Sequence, residues 1–274
     1  AAPGFAVADR RAIISTEDER GIHRLAEAER VDGIVAPGID WPVAIAARVA
    51  AKVGIPHPLE PAVAGLAVSK ARQRERFEAA GVPQPHWRLV SDAEDGLPLP
   101  CVVKAPDRQG QRGLSLVDDA GELEAAITRA LAESRNGHAL VEEVADGPEV
   151  TVNAFSVDGS FHPLTVTDRL TAEPPAFGVA LAHVWPSEAD EGDAAEVAGK
   201  AVAELGIENG PSYTQLRMTR DGPQVVEVAA RVGGGHDAEL CLAALGVNLN
   251  ELALRAALGE EIEPAALVAE PQDG

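Results

Sequence analysis

The sequence predicts an α/β protein of the mixed (α+β) kind, and three observations predict it. Over residues 12–54 short apolar runs alternate with helix patterns, the signature of a parallel α/β layer. From Glu149 onward the pattern turns to long β runs broken at Asp158-Gly159 and Asp221-Gly222. The 274 residues are 46% hydrophobic and 24% charged, the balance of a folded chain with one large or two modest domains. Aromatic residues are only 3%, so the core must be built from Ala, Val, Leu and Ile.

The elements follow in order. Ala12–Ile14 is an apolar strand-like run, and Thr16 with Glu19 forms a capping-box pattern for a helix ending near Arg30. Gly33–Ala36 reads as the next strand. Asp40 can cap a helix with Pro42 in its first turn and Gly54 at its end. Pro56, Pro58 and Pro61 make a linker-like stretch. Ser69 caps a helix to Ala80, closed by Gly81. Pro100–Ala105 and Leu114–Val117 are strands around a polar loop, Asp107–Gly113, and Asp119 with Glu122 opens another helix. Ala139–Val144, Val150–Val157 and Phe161–Thr167 are strands, Ala194–Leu205 is a helix, two strands flank Asp221-Gly222, and helices finish the chain. The chain starts without Met, and the expectation is a fragment that lacks an opening strand.

The totals exclude some functions. A formal net charge of −21 repels a phosphate backbone, so no nucleic-acid partner is expected. An anionic substrate would need the scarce Lys and Arg residues gathered in one place. No apolar run approaches the roughly 18 residues of a membrane span, and no signal-peptide pattern is present, so no membrane partner is expected. Cys101 and Cys241 lack metal-ligand spacing, and a reduced cytoplasmic compartment is the economical expectation.

Four constellations could carry chemistry. Lys104 ends a buried strand beside a loop holding Gly110 and Gly113, where backbone N–H groups can close on phosphate oxygens. Taken alone, this reads better as a plain hairpin. Glu142-Glu143-Val144-Ala145-Asp146-Gly147-Pro148-Glu149 sets acids at a strand end, suited to an exocyclic amine and ribose hydroxyls, or simply to an acidic turn. In the third, a three-residue loop Arg220-Asp221-Gly222 places Gln215 opposite Glu227 and Arg217 opposite Val225, with all three polar side chains on one face. A two-residue turn would instead put Gln215 and Glu227 on opposite faces. Glu227 lies within an apolar run and needs a partner, because burying a lone carboxylate is costly. Arg231 precedes Gly233-Gly234-Gly235 at a helix start, which suits an anion or a flexible turn equally.

In this order, the pieces resemble the ATP-grasp superfamily. Ser69–Arg72 through Pro85 is similar to its Lys-bearing helix and following turn, Cys101–Leu116 to its lid strand and phosphate loop, Leu140–Glu149 to its hinge, and Gln224–Gly235 to its metal strand. The resemblance implies an ATP-grasp fold with a truncated N-terminal parallel α/β (pre-ATP-grasp) domain over 1–64. An ATP-grasp domain would follow over 65–274, with 86–142 as its lid. By position it implies Lys70 and Lys104 on ATP phosphates, and Gly110 and Gly113 in a loop that closes over the triphosphate. Glu142 would lie by the adenine amine, Val144 and Ala145 would line the base, and Glu149 would bind ribose. Gln215 and Glu227 would ligate Mg²⁺, or Mn²⁺ in its place, and Arg231 would act with Lys104 at the γ-phosphate or acyl-phosphate.

Two positions depart from the common pattern. Gln215 stands where Glu is frequent, so that ligand brings no charge. Ala229 stands where Asn is frequent, the Glu-x-Ala-Ala-Arg form shared with L-amino-acid ligases. The stretch from Thr167 to Ser187 is similar to the substrate-side segment of those ligases, which makes Arg169 and His183 candidate substrate residues; Arg217 is a further candidate. The implied activity is an ATP-dependent carboxylate–amine ligase acting through an acyl-phosphate on a small carboxylate and an amine, as a homodimer by family habit. The alternatives are a carbamoyl phosphate synthetase-like or biotin carboxylase-like enzyme activating bicarbonate, and an ATP-binding module without chemistry.

Overall fold

Local hydrogen-bonding rules set most helix boundaries. A computed structural model describes residues 3–92, 99–172 and 176–270, so part of the 86–142 segment, residues 93–98, lies outside the described residues. Helix α4 (Lys70–Ala80) starts where the Ser69 hydroxyl accepts from Arg72 N and stops at Gly81 in the left-handed region. Helix α2 (Asp40–Val53) ends on Gly54 in the same way. Asp119 and Asp190 cap α5 (Ala120–Glu133) and α6 (Glu191–Glu204) through their carboxylates. The last of these begins ahead of the expected Ala194 because Asp190 supplies the cap.

Two expected caps move. Helix α1 (Glu19–Glu29) is capped by Asp18, which accepts from Gly21 N, because Ser15 to Asp18 closes a turn before it. Asp40 lies inside α2 rather than at its cap, and its carboxylate turns to Arg231. The proline-rich linker contains a short helix, α3 (Pro61–Ala67), with Pro61 in its first turn.

Segments 12–14 and 33–36 differ from expectation. Among the described residues neither joins a sheet. A strand exists only where a neighbour completes the ladder, and here Val31 and Ile34 instead pack beside a small cluster of Ala26, Ile45 and Val49 between α1 and α2. No parallel pairing occurs among the described residues.

Both sheets are antiparallel. The smaller is formed by β1 (Trp87–Val90), β2 (Cys101–Lys104), β3 (Ser115–Val117) and β4 (Ala139–Glu143), in the order β1-β4-β2-β3. Helix α5 covers it through Ala126, Ile127 and Ala130. The larger holds β5 (Glu149–Val157), β6 (Ser160–Thr171), β7 (Ala180–Val184), β8 (Gly210–Thr219) and β9 (Gly222–Ala229), in the order β7-β6-β5-β8-β9. Alternation sends Val150, Val152, Val166, Leu216, Val225 and Val228 to one face, where Ala194, Ala198 and Ala201 of α6 let the helix approach closely. The chain closes with α7 (Asp237–Leu245) and α8 (Leu249–Ala257), and among the described residues no single helix is long and apolar enough to cross a membrane.

The β8–β9 hairpin reaches the expected pairing by another route. Thr219 pairs with Gly222, so the turn has two residues, and Arg217 faces Gln224 rather than Val225. A bulge at Val226 then shifts the register, and Gln215 meets Glu227 after all. β9 is a sheet edge, and α4 covers it: Gln73 Nε2 donates to Val228 O (2.7 Å) and Val228 N donates to Gln73 Oε1 (3.1 Å).

Phe77 anchors α4 in the main core and is fully buried. Phe77→Ala should lower the unfolding free energy by roughly 3–5 kcal/mol, read as a reduced urea midpoint with an unchanged m-value.

Candidate functional site

Helical periodicity puts Lys70, Gln73, Arg74 and Phe77 on one face of α4. With Phe77 buried, the polar members of that face enter the gap between the two sheets. Arg74 is 1% exposed. Its Nε donates to Glu142 Oε1 (2.6 Å), Nη1 to Val225 O (2.9 Å) and Gln84 Oε1 (3.2 Å), and Nη2 to Val226 O (2.6 Å). The other Glu142 oxygen takes Lys104 Nζ at 2.6 Å. Burial alone would raise the Glu142 carboxyl, but Arg74 and Lys104 outweigh it and hold it at about 2. Burial pulls Lys104 below its ordinary value, with Glu142 opposing.

Lys70 Nζ pairs with Glu227 Oε1 at 2.7 Å and donates to Arg108 O at 3.0 Å. Burial works against both charges, yet the pairing raises Lys70 and lowers Glu227. Arg231 pairs with Asp40, which outweighs burial and raises its pKa further, and its guanidinium lies 5.7 Å from the Tyr213 ring.

The face of the larger sheet opposite α6 is polar along β5 and buried. Glu149, Thr151 and Asn153 alternate along β5, opposite Arg217, Gln215 and Tyr213 of β8. Glu149 binds Arg169 through one oxygen and Arg217 Nη2 (3.0 Å) through the other. Glu149, Arg169, Gln215 and Arg217 of this face, with Lys70, Lys104, Glu142, Glu227 and Arg231, line a cleft of about 280 Å³ between the sheets.

The structure brings most of the expected residues together. Lys70, Lys104, Glu149, Gln215, Glu227 and Arg231 line the cleft, as do Arg169 and Arg217. Gly110, Val144 and Ala145 lie at its wall, and so does Glu142, whose two oxygens are already engaged by two cations. In this structure the Glu142 carboxylate holds Lys104 and Arg74, one on each oxygen. Gly113 and His183 do not line the cleft. Gly113 packs on α5, where a Cβ would come within 3.0 Å of Ala130 Cα, so its φ of 69° and missing side chain serve packing. His183 is buried beside Asp237, with Nδ1 3.2 Å from Oδ1 in an arrangement that leaves both Asp237 oxygens without a hydrogen-bond donor. Burial lowers His183, with Arg169 assisting, and burial pushes Asp237 up to about 7 against the pull of Arg169 and Arg231.

Sequence reasoning missed Arg74, Asp40 and Asp237. Arg74 had a signal, its place one turn from Lys70 and close to Phe77 on the only apolar stripe of α4. Asp40 and Asp237 had none, because their partners are distant in sequence.

Among the described residues no three His, Cys, Asp or Glu side chains converge. Gln215 and Glu227 on adjacent strands offer two oxygens, a set that fits an ion keeping phosphate and water ligands, the habit of Mg²⁺.

The sequence profile of the ATP-grasp domain matches residues 97–239, just over half of the chain. The uncharacterized protein y4rH of Sinorhizobium fredii is 27% identical over 87% of this chain and 51% of its own length. Carnosine synthase 1 of Homo sapiens is 27% identical over 88% of this chain and 33% of its own. The crystal structure of the L-amino acid ligase from Bacillus licheniformis superposes with a TM-score of 0.81 at 25% identity, covering 93% of this chain and 64% of that one. The chain thus spans from a third to under two thirds of these proteins, and its fold is the ATP-grasp fold.

Two pH dependences follow. Glu142 sits at about 2 when folded against 4.5 as a free carboxyl, so its stabilisation is complete above pH 4.5 and is lost as pH falls toward 2. Glu142→Gln should remove that contribution, roughly 3 kcal/mol, and flatten urea midpoints measured across this range. Asp237 has the opposite sign: it stays protonated to about 7 when folded but ionises from 3.8 when unfolded, so stability falls as pH rises between them. Asp237→Asn should abolish that fall and be more stable than wild type at pH 8.

Proposed function

Because the chain belongs to the ATP-grasp family, we propose that it is an ATP-dependent ligase that activates a carboxylate as an acyl-phosphate and passes it to an amine. One observation carries this reading. In a chain of formal net charge −21, Lys70, Lys104, Arg169, Arg217 and Arg231 converge on one cleft, with Gln215 and Glu227 side by side on its floor. Such a concentration of cations suits a polyanion.

In this reading the base of ATP lies against Val144 and Ala145, Glu149 holds the ribose, and Lys70 and Lys104 hold phosphate oxygens. Mg²⁺ arriving with the triphosphate would supply charge neutralisation between Gln215 and Glu227. A carboxylate oxygen attacks the γ-phosphorus; that O–P bond forms as the β–γ bridging P–O bond breaks, and ADP leaves with the electron pair. The amine nitrogen then attacks the acyl carbon; the C–N bond forms, the C–O bond to phosphate breaks, and the amine proton passes to solvent. The protein's part is positioning and electrostatics. Arg231 directs donors at the transferring group, Glu142 and Arg74 keep Lys104 in place, and the loop over 107–113 excludes water.

A second reading takes bicarbonate as the carboxylate, favoured by the uncharged Gln215. Mg²⁺-dependent ADP release separates the readings. Release that requires pooled amino acids supports the ligase, and release that requires bicarbonate supports the alternative. ATP binding without release from any pool points to a binding module, and no ATP binding defeats every nucleotide reading. Arg231→Ala and Glu227→Ala should each lower kcat about 10²–10³-fold.

A further inference from the structure

A second cleft, of about 510 Å³, shares Arg231, Arg108 and Arg112 with the first but is walled by Trp41 of α2 and by Arg135, which follows α5. The chain has 23 Lys and Arg against 44 Asp and Glu, yet Arg108, Arg112, Arg135 and Arg231 all face this space. Two carboxylates from the N-terminal part of the chain rest on them. Asp40 occupies Arg231. Glu17, half-exposed just before α1, accepts from Arg135 Nη2 at 2.7 Å. The Glu17 carboxyl is held below its ordinary value by Arg135 first, with Arg108 and Arg112 contributing, so the three arginines act on one point.

Arg135 is also fixed in advance. Its guanidinium lies 3.9 Å over the Trp41 ring, and its backbone N–H donates to both oxygens of the buried Asp107 carboxylate at 3.1 and 2.9 Å. A planar fork stacked on an indole keeps N–H groups at its edge for a carboxylate. The cleft therefore has two cationic poles, Arg231 at one and Arg135 at the other, and an internal carboxylate already satisfies each.

We propose that the second cleft binds an acid carrying two anionic groups. Its reacting carboxylate lies at Arg231 and its second at Arg135 over Trp41, displacing Asp40 and Glu17. The inference rests on the ligase reading for the neighbouring cleft, and it narrows the carboxylate substrate to dicarboxylates and acidic amino acids. A neutral-tailed acid would leave Arg135 with Glu17 and gain nothing from that pole.

The test uses the whole chain with Mg-ATP and a fixed pool of amines, comparing succinate, glutarate, L-aspartate and L-glutamate with butyrate, L-asparagine and L-glutamine. The expected result is a kcat/KM for the dianionic acids about 10-fold or more above their neutral counterparts. Arg135→Met should shrink that ratio toward one, chiefly through KM, while thermal unfolding shows the variant folded. Glu17→Gln should lower KM for the dianionic acids by removing the internal competitor. Equal turnover of both acid classes, or an Arg135→Met loss shared by all acids, would overturn the proposal and leave the arginine as a structural tie. If no acid supports ADP release, the ligase reading has failed on its own, and glutarate titration by calorimetry decides this inference separately. Binding that weakens in Arg135→Met upholds it, and no binding, or binding indifferent to Arg135, rejects it.

Discussion

The Arg74 guanidinium is the junction on which the site depends. It is buried, and taking such a charge out of water is costly unless every N–H finds an acceptor. Its acceptors come from three places: the Glu142 carboxylate on β4, the carbonyls of Val225 and Val226 on β9, and Gln84 after its own helix. The bulge at Val226 lies at this junction, on the sheet edge that α4 covers. A buried ion pair is a poor source of net stability but a strict geometric constraint, because removing one partner leaves the other charge exposed to the full desolvation cost. Helix α4 therefore cannot slide by one turn without orphaning charges in both sheets.

The same constraint orders the rest of the cleft. Arg74 takes one oxygen of Glu142 and leaves the other for Lys104; Lys70, one turn earlier on the helix, meets Glu227 on β9. Glu149 bridges Arg169 and Arg217 across neighbouring strands, and Asp40 closes on Arg231. Each of these cations is thus matched by an internal carboxylate. An acidic chain can gather this much positive charge in one place only with such counterions, because Coulomb repulsion between unscreened buried cations would be severe. A polyanionic ligand would enter by exchange, taking over cations whose partners are already carboxylates.

Much of this was legible in the sequence because it is local. Ser69 and Gly81 bound α4, Gly54 ends α2, and alternation along β5 and β8 separates an apolar face from a polar one. The Gln215–Glu227 pairing follows in sequence from a three-residue turn, whereas the structure reaches it through a two-residue turn and a bulge. A bulge depends on what packs against the strand edge, and the strand's own residues do not announce it. Segments 12–14 and 33–36 join no sheet among the described residues for a related reason: an apolar run suggests a strand, while a ladder requires a neighbour that the pattern cannot name. His183, the cross-strand neighbour of Arg169, shares its sheet face but rests beside Asp237, a partner 54 positions away that the sequence does not announce.

What the sequence determined by itself, then, was the identity of most helices, the polar and apolar faces of the strands and the order of the motifs, since capping, periodicity and turn chemistry act within a few residues. The tertiary structure decided which charges meet. Glu142 is 68 positions from Arg74, Val228 is 155 from Gln73, and Asp40 is 191 from Arg231. Complementary charge makes many such pairings available in a chain this acidic, and only the packing of α4 between two sheets, with the desolvation cost it imposes on any unmatched group, selects among them.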